Sequence, residues 1–393
     1  MKNILVFIVC FAAAFNAFAE DDLSLIDLFG EEDNKQTASS QAQPQIANDN
    51  QDKGEKAAEE QISDSNQKSK ISEFFSFLNI PFFRSKDTFQ KTELSPNKNE
   101  PKESYEQRLI KMAESGDVDA CLTLAYVYLF GESGVEKNEE KAFKYYSIAA
   151  EKDDVIALNN LGSLYYSGIG TPKNIPEATK LFERATQLGN YESAVNLAFI
   201  YLTQNQTLDA NQRSTIVRLF NQAAGADNIT AQYMMGMIYY KGFGIAKNNI
   251  KAFNYMQLAA RGYDEAQYKL AQMYINAEGT TRNYKKGIEN YVKAAKQGNI
   301  KAMITLADTL AEGKNYPQNN YEAYIWYNIA SVSNPEKAVN KRDETEKKLK
   351  IEEVIQAQTA AETFKPVPSE ITTYIRRTFG ENIGEYLTTK AQN

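Results

Sequence analysis

Two tetrads, Ser65-Asn-Gln-Lys68 and Ser95-Pro-Asn-Lys98, have the spacing in which a lysine can activate a serine nucleophile for acyl transfer. No Lys-Thr-Gly follows either one, and both sit in low-complexity sequence, so they read as chance. Gly168-Ile-Gly170 and Gly242-Phe-Gly244 are loops of a kind that can cradle phosphate. They lack the Gly-Lys-Ser/Thr that should follow and the strand that should precede. The 393 residues include no histidine, which removes the commonest general base and the commonest metal ligand. Cys121 lies beside Ala120 in an apolar helical pattern and reads as a small core residue, not a nucleophile. Asp308 is expected on an inner face, yet one carboxylate without a partner is no acid–base pair. These residues point away from an enzyme, call for no cofactor and build no metal site.

The start of the chain reads as an export signal. Lys2 precedes an apolar run over 4–15, and Ala17-Phe18-Ala19 is a small-x-small cleavage pattern. Residues 1–19 are therefore predicted to be removed, leaving the protein periplasmic or secreted with no integral membrane segment. Residues 20–101 form a second region, rich in Gln, Asn, Ser, Lys and Glu, which cannot bury enough surface to offset its chain entropy and is expected to be disordered. Its 20–100 stretch holds 17 acidic and 9 basic residues, whereas 101–393 holds 34 of each. The negative charge thus belongs to an arm, and the rest lacks the basic field that nucleic-acid binding requires. Two apolar islands, 23–29 and 71–83, interrupt the arm; the second carries five phenylalanines and could dock on a partner or on the protein itself.

Beyond 101 a repeat emerges. A small residue, a large apolar residue four positions on, a small one at five and an aromatic at eight recur at Ala120/Leu124/Ala125/Tyr128, Ala157/Leu161/Gly162/Tyr165, Ser193/Leu197/Ala198/Tyr201, Ala231/Met235/Gly236/Tyr239 and Ala266/Leu270/Ala271/Tyr274. A sixth copy, Ala302/Leu306/Ala307, puts Leu310 in the aromatic slot. Offsets 0, 4, 5 and 8 share one face of a helix. A glycine turn follows, then a second amphipathic helix such as Ala142/Tyr145/Tyr146/Ala149. A single pair cannot bury its apolar face, but stacked pairs can.

This pattern resembles Sel1-like repeats, relatives of tetratricopeptide repeats. The resemblance rests on the Ala…Leu-Gly…Tyr helix, the Gly-x-Gly turn and the Lys-Ala-x-x-x-Tyr helix, best in 157–189 and 231–262. It implies an all-α fold: an α-solenoid of about six helix pairs over 102–331, carrying the N-terminal arm and closed by capping helices over 332–393. The third copy has Gln204-Asn-Gln-Thr207 in place of the glycine turn, and the fifth has Asn276-Ala-Glu-Gly279. The resemblance further implies a scaffold that binds a protein or peptide. Concave positions of the first helices then nominate Asn159, Tyr166, Phe199, Tyr233, Met237, Tyr240, Tyr268 and Gln272 as partner-binding residues. The alternatives are an envelope hydrolase, or a regulator whose N-terminal arm occupies its own groove.

Overall fold

The computed structural model describes residue 94, residues 102–205 and residues 207–389, with backbone only at 102–104 and 388–389. The predicted signal segment and both apolar islands lie outside the described residues. After α1 (Lys102–Glu114), the chain runs as α2 (Val118–Phe130), α3 (Glu139–Ala150), α4 (Val155–Ser167), α5 (Ile175–Gln187), α6 (Tyr191–Gln204) and α7 (Ala210–Gly225). It continues as α8 (Ile229–Lys241), α9 (Asn249–Ala259), α10 (Asp264–Asn276), α11 (Tyr284–Lys296), α12 (Ile300–Glu312), α13 (Asn320–Ser333), α14 (Pro335–Glu346) and α15 (Ile351–Thr363). Each even-numbered helix from α2 to α12 packs on the next odd one, and each pair packs on its neighbours. The α-solenoid expected from the periodicity is the fold observed.

Local chemistry places the helix starts. Asp117, Asp154, Asn190, Asn228 and Asn299 each lie three residues before a repeated small residue, and each side chain accepts that residue's backbone N–H. Second helices start in the same way on Asn138, Asn174, Asp209, Asn248, Asn283 and Asn319. Such caps contribute about 1 kcal/mol each and punctuate the chain at every pair. Tyr263, before α10, caps without a side-chain bond.

The first helices end in left-handed residues: Gly131, Gly168, Gly242 and Gly313. In the fifth copy Ala277 adopts the same conformation, with φ 59°, so the turn survives the loss of glycine. In the third copy Asn205 is extended instead, and a capping box on Asp209 and Gln212 restarts the chain. The second glycine of the turn has another task. A Cβ on Gly170 would lie 2.2 Å from the Glu139 carbonyl oxygen, and one on Gly279 would lie 2.0 Å from that of Asn249. These two turns press backbone on backbone against the preceding pair.

The core repeats with the sequence. Tyr128 stacks on Tyr145 with centroids 5.8 Å apart, and the matching Tyr239 and Tyr255 stack at 5.9 Å. Between pairs, Phe143 meets Tyr165 edge-on at 5.2 Å, as Phe253 meets Tyr274. Each such contact adds about 0.5–1.5 kcal/mol to its area burial. At the far end Trp326 is fully buried in α13, its ring edge-on to Phe364, and α14 and α15 both pack on α13. The stack is closed there.

The chain does not stop at this cap. Residues 365–369 turn back, with the Val367 N–H donating to the Lys296 carbonyl. Then α16 (Glu370–Phe379), a 3-10 turn (Ile383–Glu385) and α17 (Tyr386–Thr389) run across the faces of α10, α8 and α6. The sequence predicted that helices over 332–393 would cap the stack. The observed segment breaks at Gly380, and Tyr374 is left exposed.

Candidate functional site

The face of interest is formed by the first helices of the central pairs and is partly covered by residues 366–389. Three glycines let this segment approach. Pro366 lies over Gly298, Ile371 lies over Gly262, and Gly384 lies over Tyr233 and Met237. The corresponding Gly116, Gly189 and Gly225, at other pair junctions, face open space. Ile371, Ile375, Phe379, Ile383 and Leu387, four residues apart, then enter the core that contains Val195, Phe199, Tyr233 and Met237. The rings of Phe199 and Phe379 stack at 4.0 Å.

Polar contacts fix the register. Ser369 caps α16 and its hydroxyl donates to the Gly262 carbonyl at 2.5 Å. The Ser369 N–H donates to the Gln297 side-chain oxygen, and the buried Thr372 hydroxyl lies 2.7 Å from the same oxygen and accepts from the Asp264 N–H. Arg376 pairs with Asp264 at 2.5 Å, where the carboxylate is fully buried and also accepts from Asn299. Farther along, the Lys241 ammonium donates to the Gly384 carbonyl. Burial pushes the Lys241 ammonium below its ordinary range, an effect that Glu385 opposes.

The nominated residues divide by environment. Asn159 is buried between pairs: its carbonyl oxygen accepts from Ser193 at 2.8 Å and Asn196 at 3.0 Å. Phe199, Tyr233 and Met237 are buried, and residues of the C-terminal segment cover them. Burial raises the Tyr233 hydroxyl well above its usual range, with help from Glu265 and Asp264. Tyr166, Tyr240, Tyr268 and Gln272 keep partial exposure. Lys173 and Lys247 each stand 5.3 Å from the ring centroid of Tyr166 and Tyr240 respectively, and Lys269 lies only 3.5 Å over Tyr240. Burial, and then the charges of Lys241 and Lys247, lower the Lys269 ammonium against the opposing pull of Glu278.

Two spaces remain on this face. A cavity of about 90 Å³ is lined by Phe379 and Tyr386 of the segment and by Tyr166, Phe182 and Phe199 of the array. A wider cleft of about 440 Å³ runs beside Tyr268, Ile304, Lys301 and Lys337 and is flanked by Arg376. Asp308 proves to be structural: Tyr327 and Lys341 both bond its carboxylate, tying α12 to α13 and α14. Cys121 is buried in the core, and burial raises its thiol. Among the described residues no group of three or more Cys, Asp or Glu is placed to hold a metal ion, and no helix is long and apolar enough to cross a membrane.

Sequence reasoning missed the residues that seat the segment, namely Gly262, Asp264, Gln297 and Gly298. A signal existed in part: Asp264 and Gln297 are polar side chains at pair junctions that end up buried.

The fold and face together define a helix-pair α-solenoid that carries a bound segment on its first helices. The Sel1 repeat profile matches residues 118–154, 155–190, 229–264, 264–299 and 300–331, skipping the irregular third copy. The Sel1-repeat-containing protein YjcO of Escherichia coli is 31% identical over 191 residues, covering 46% of this chain and 77% of that protein. The chain belongs to the Sel1-repeat family. Chitin synthase regulatory factor 3 of Schizosaccharomyces pombe is 25% identical over 230 residues, 56% of this chain but only 24% of that much longer protein. Among solved structures, a Sel1 repeat protein from Oxalobacter formigenes aligns with a TM-score of 0.51 and 26% identity, covering 58% of this chain and 94% of that one. Sel1-repeat proteins are generally protein-interaction scaffolds, and their solenoid is not typically an enzyme fold.

Proposed function

We propose that this protein is an exported adaptor that holds a protein or peptide partner against the first-helix face of its solenoid. The observation that carries the reading is the row of half-exposed aromatics with ammonium groups over their rings, Tyr166 with Lys173 and Tyr240 with Lys247 and Lys269. Such amphipathic rings, held by neighbours at low entropy cost, are what partner surfaces favour. Export rests on the N-terminal sequence, and the scaffold role on the family.

The test uses the full chain with a photo-crosslinking residue at Tyr240 or, as control, at Ile250, which is 64% exposed on the opposite helix of its pair. The reading expects one envelope protein to be captured from position 240 and not from 250. Equal capture at both positions would remove the assignment.

A further inference from the structure

Residues 366–389 are not needed to close the stack, because α14 and α15 already cover α13. They lie instead along the middle of the array, and their fit there is specific in its polar contacts yet incomplete in its packing. Arg376 finds a fully buried carboxylate, while the second oxygen of that carboxylate, Asp264 Oδ1, has no hydrogen-bond partner. The buried hydroxyl of Tyr263, in contact with Tyr233, has none either. The 90 Å³ cavity is bordered by Phe379 and Tyr386, and Val367 is 75% exposed. Orphaned polar atoms occur inside the repeats as well, at Thr186 and Asn320 for example, but the helices of this segment meet the array across far fewer residues than the paired helices meet one another. A ligand-like segment held at high local concentration needs no more than such limited contact.

We propose that the face of α6, α8 and the start of α10 is a receptor for a short amphipathic helix of a partner protein, with apolar residues at i, i+4 and i+8 and an arginine or lysine at i+5, and that residues 366–389 are the chain's own copy of this ligand, which the partner helix replaces. The pattern is that of Ile371, Ile375, Phe379 and Arg376. The proposal rests on the adaptor reading and names the ligand chemistry of the same face. A helix-in-groove ligand is read through apolar anchors at this spacing. The basic residue at i+5 adds selectivity, because an uncharged ligand would leave the buried Asp264 carboxylate without its counter-charge. Glycines 262 and 298 supply the close approach that lets the helix lie flat.

The test uses the full chain and a fluorescent synthetic peptide of residues 369–388. Wild-type protein binds the peptide weakly, since its own segment holds the site. An Ile375→Asp/Phe379→Asp variant places two acids in the core, expels its own segment, and is expected to bind the peptide about tenfold or more tighter than wild type. A peptide carrying Arg376→Glu loses that gain. The proposal is overturned if the variant still melts cooperatively but binds no better than wild type, or if the Arg376→Glu peptide binds equally well. It is also overturned if the variant pairs into a concentration-dependent dimer by swapping segments, because the ligand is then a second copy of the chain.

Hydrogen exchange on wild-type protein covers the case of a variant that does not fold. Amides of 370–387 should exchange through a local opening, well before those of α8; identical exchange would make the segment core and sink the idea. Peptide exchange without differential crosslinking at 240 leaves the receptor standing and removes the adaptor reading. Differential crosslinking without peptide exchange does the reverse.

Discussion

Alanine at Gly170 tests whether the glycine turns exist for close packing between pairs. Gly170 has φ 66°, so any side chain there carries the left-handed cost of about 1–2 kcal/mol. Gly189 has φ 93° and nothing within 4 Å of a built Cβ, so Gly189→Ala should cost that amount alone. Gly168 adds a Lys173 backbone nitrogen at 3.2 Å, within its own turn, and should cost slightly more. Gly170→Ala is different in kind. Its Cβ would sit 2.2 Å from the Glu139 carbonyl oxygen, on a helix of the preceding pair, and no rotamer change can relieve a backbone atom. Moving Glu139 also strains the cap in which Asn138 accepts the Lys141 N–H at 2.8 Å. Overpacking of this kind adds about 1–3 kcal/mol, for a total of about 2–5 kcal/mol. Urea denaturation followed by circular dichroism gives the order, and hydrogen exchange should place the loss in α2–α5, because solenoid energetics are local. If Gly170→Ala and Gly189→Ala agree within about 0.5 kcal/mol, the close-approach argument is wrong.

Three further outcomes are expected. Asn159→Ala removes the acceptor of Ser193 and Asn196 and should cost about 1–3 kcal/mol in denaturant titration while leaving partner capture at position 240 unchanged. Burial raises the Glu322 carboxyl to about 7, so the folded state holds a proton that the unfolded state has already released above about 4.5. Stability should therefore fall as pH rises from about 4.5 to 7 and then level off, and Glu322→Gln should flatten the curve when urea midpoints are compared across that range. Gly384→Ala would bring a Cβ within 2.8 Å of the Tyr233 hydroxyl and 3.0 Å of the Met237 methyl. It should speed amide exchange in 383–387 and leave the thermal transition of the repeats in place.

The solenoid was legible because its signal is repeated and local. Offsets 0, 4, 5 and 8 from Ala120 or Ala231 describe one helix face, and the neighbours that bury it lie within about one period. The capping Asp and Asn residues, three positions before the small residue in every copy but the fifth, went unread although they too are local. Two turns resisted for opposite reasons. Ala277 keeps the left-handed shape with an unfavourable residue, whereas Asn205 abandons it, and neither choice follows from local propensity. The destination of residues 366–389 was not legible at all. The stack of Phe199 on Phe379 joins positions 180 apart in the chain, and an amphipathic pattern states that a face will be buried without stating where. For the same reason the inner-face positions could be nominated from helix geometry, while the cover over Phe199, Tyr233 and Met237 could not.

The bond from the Lys241 ammonium to the Gly384 carbonyl spans 143 residues. At a synthesis rate of about 5–20 residues per second, roughly 7–30 s separate completion of α8 from completion of the segment that covers it. The pairs up to α8 bury their faces on near neighbours, so nothing in their own packing waits for the cover. On the proposed reading, most of the receptor face can therefore form before its internal occupant has been made.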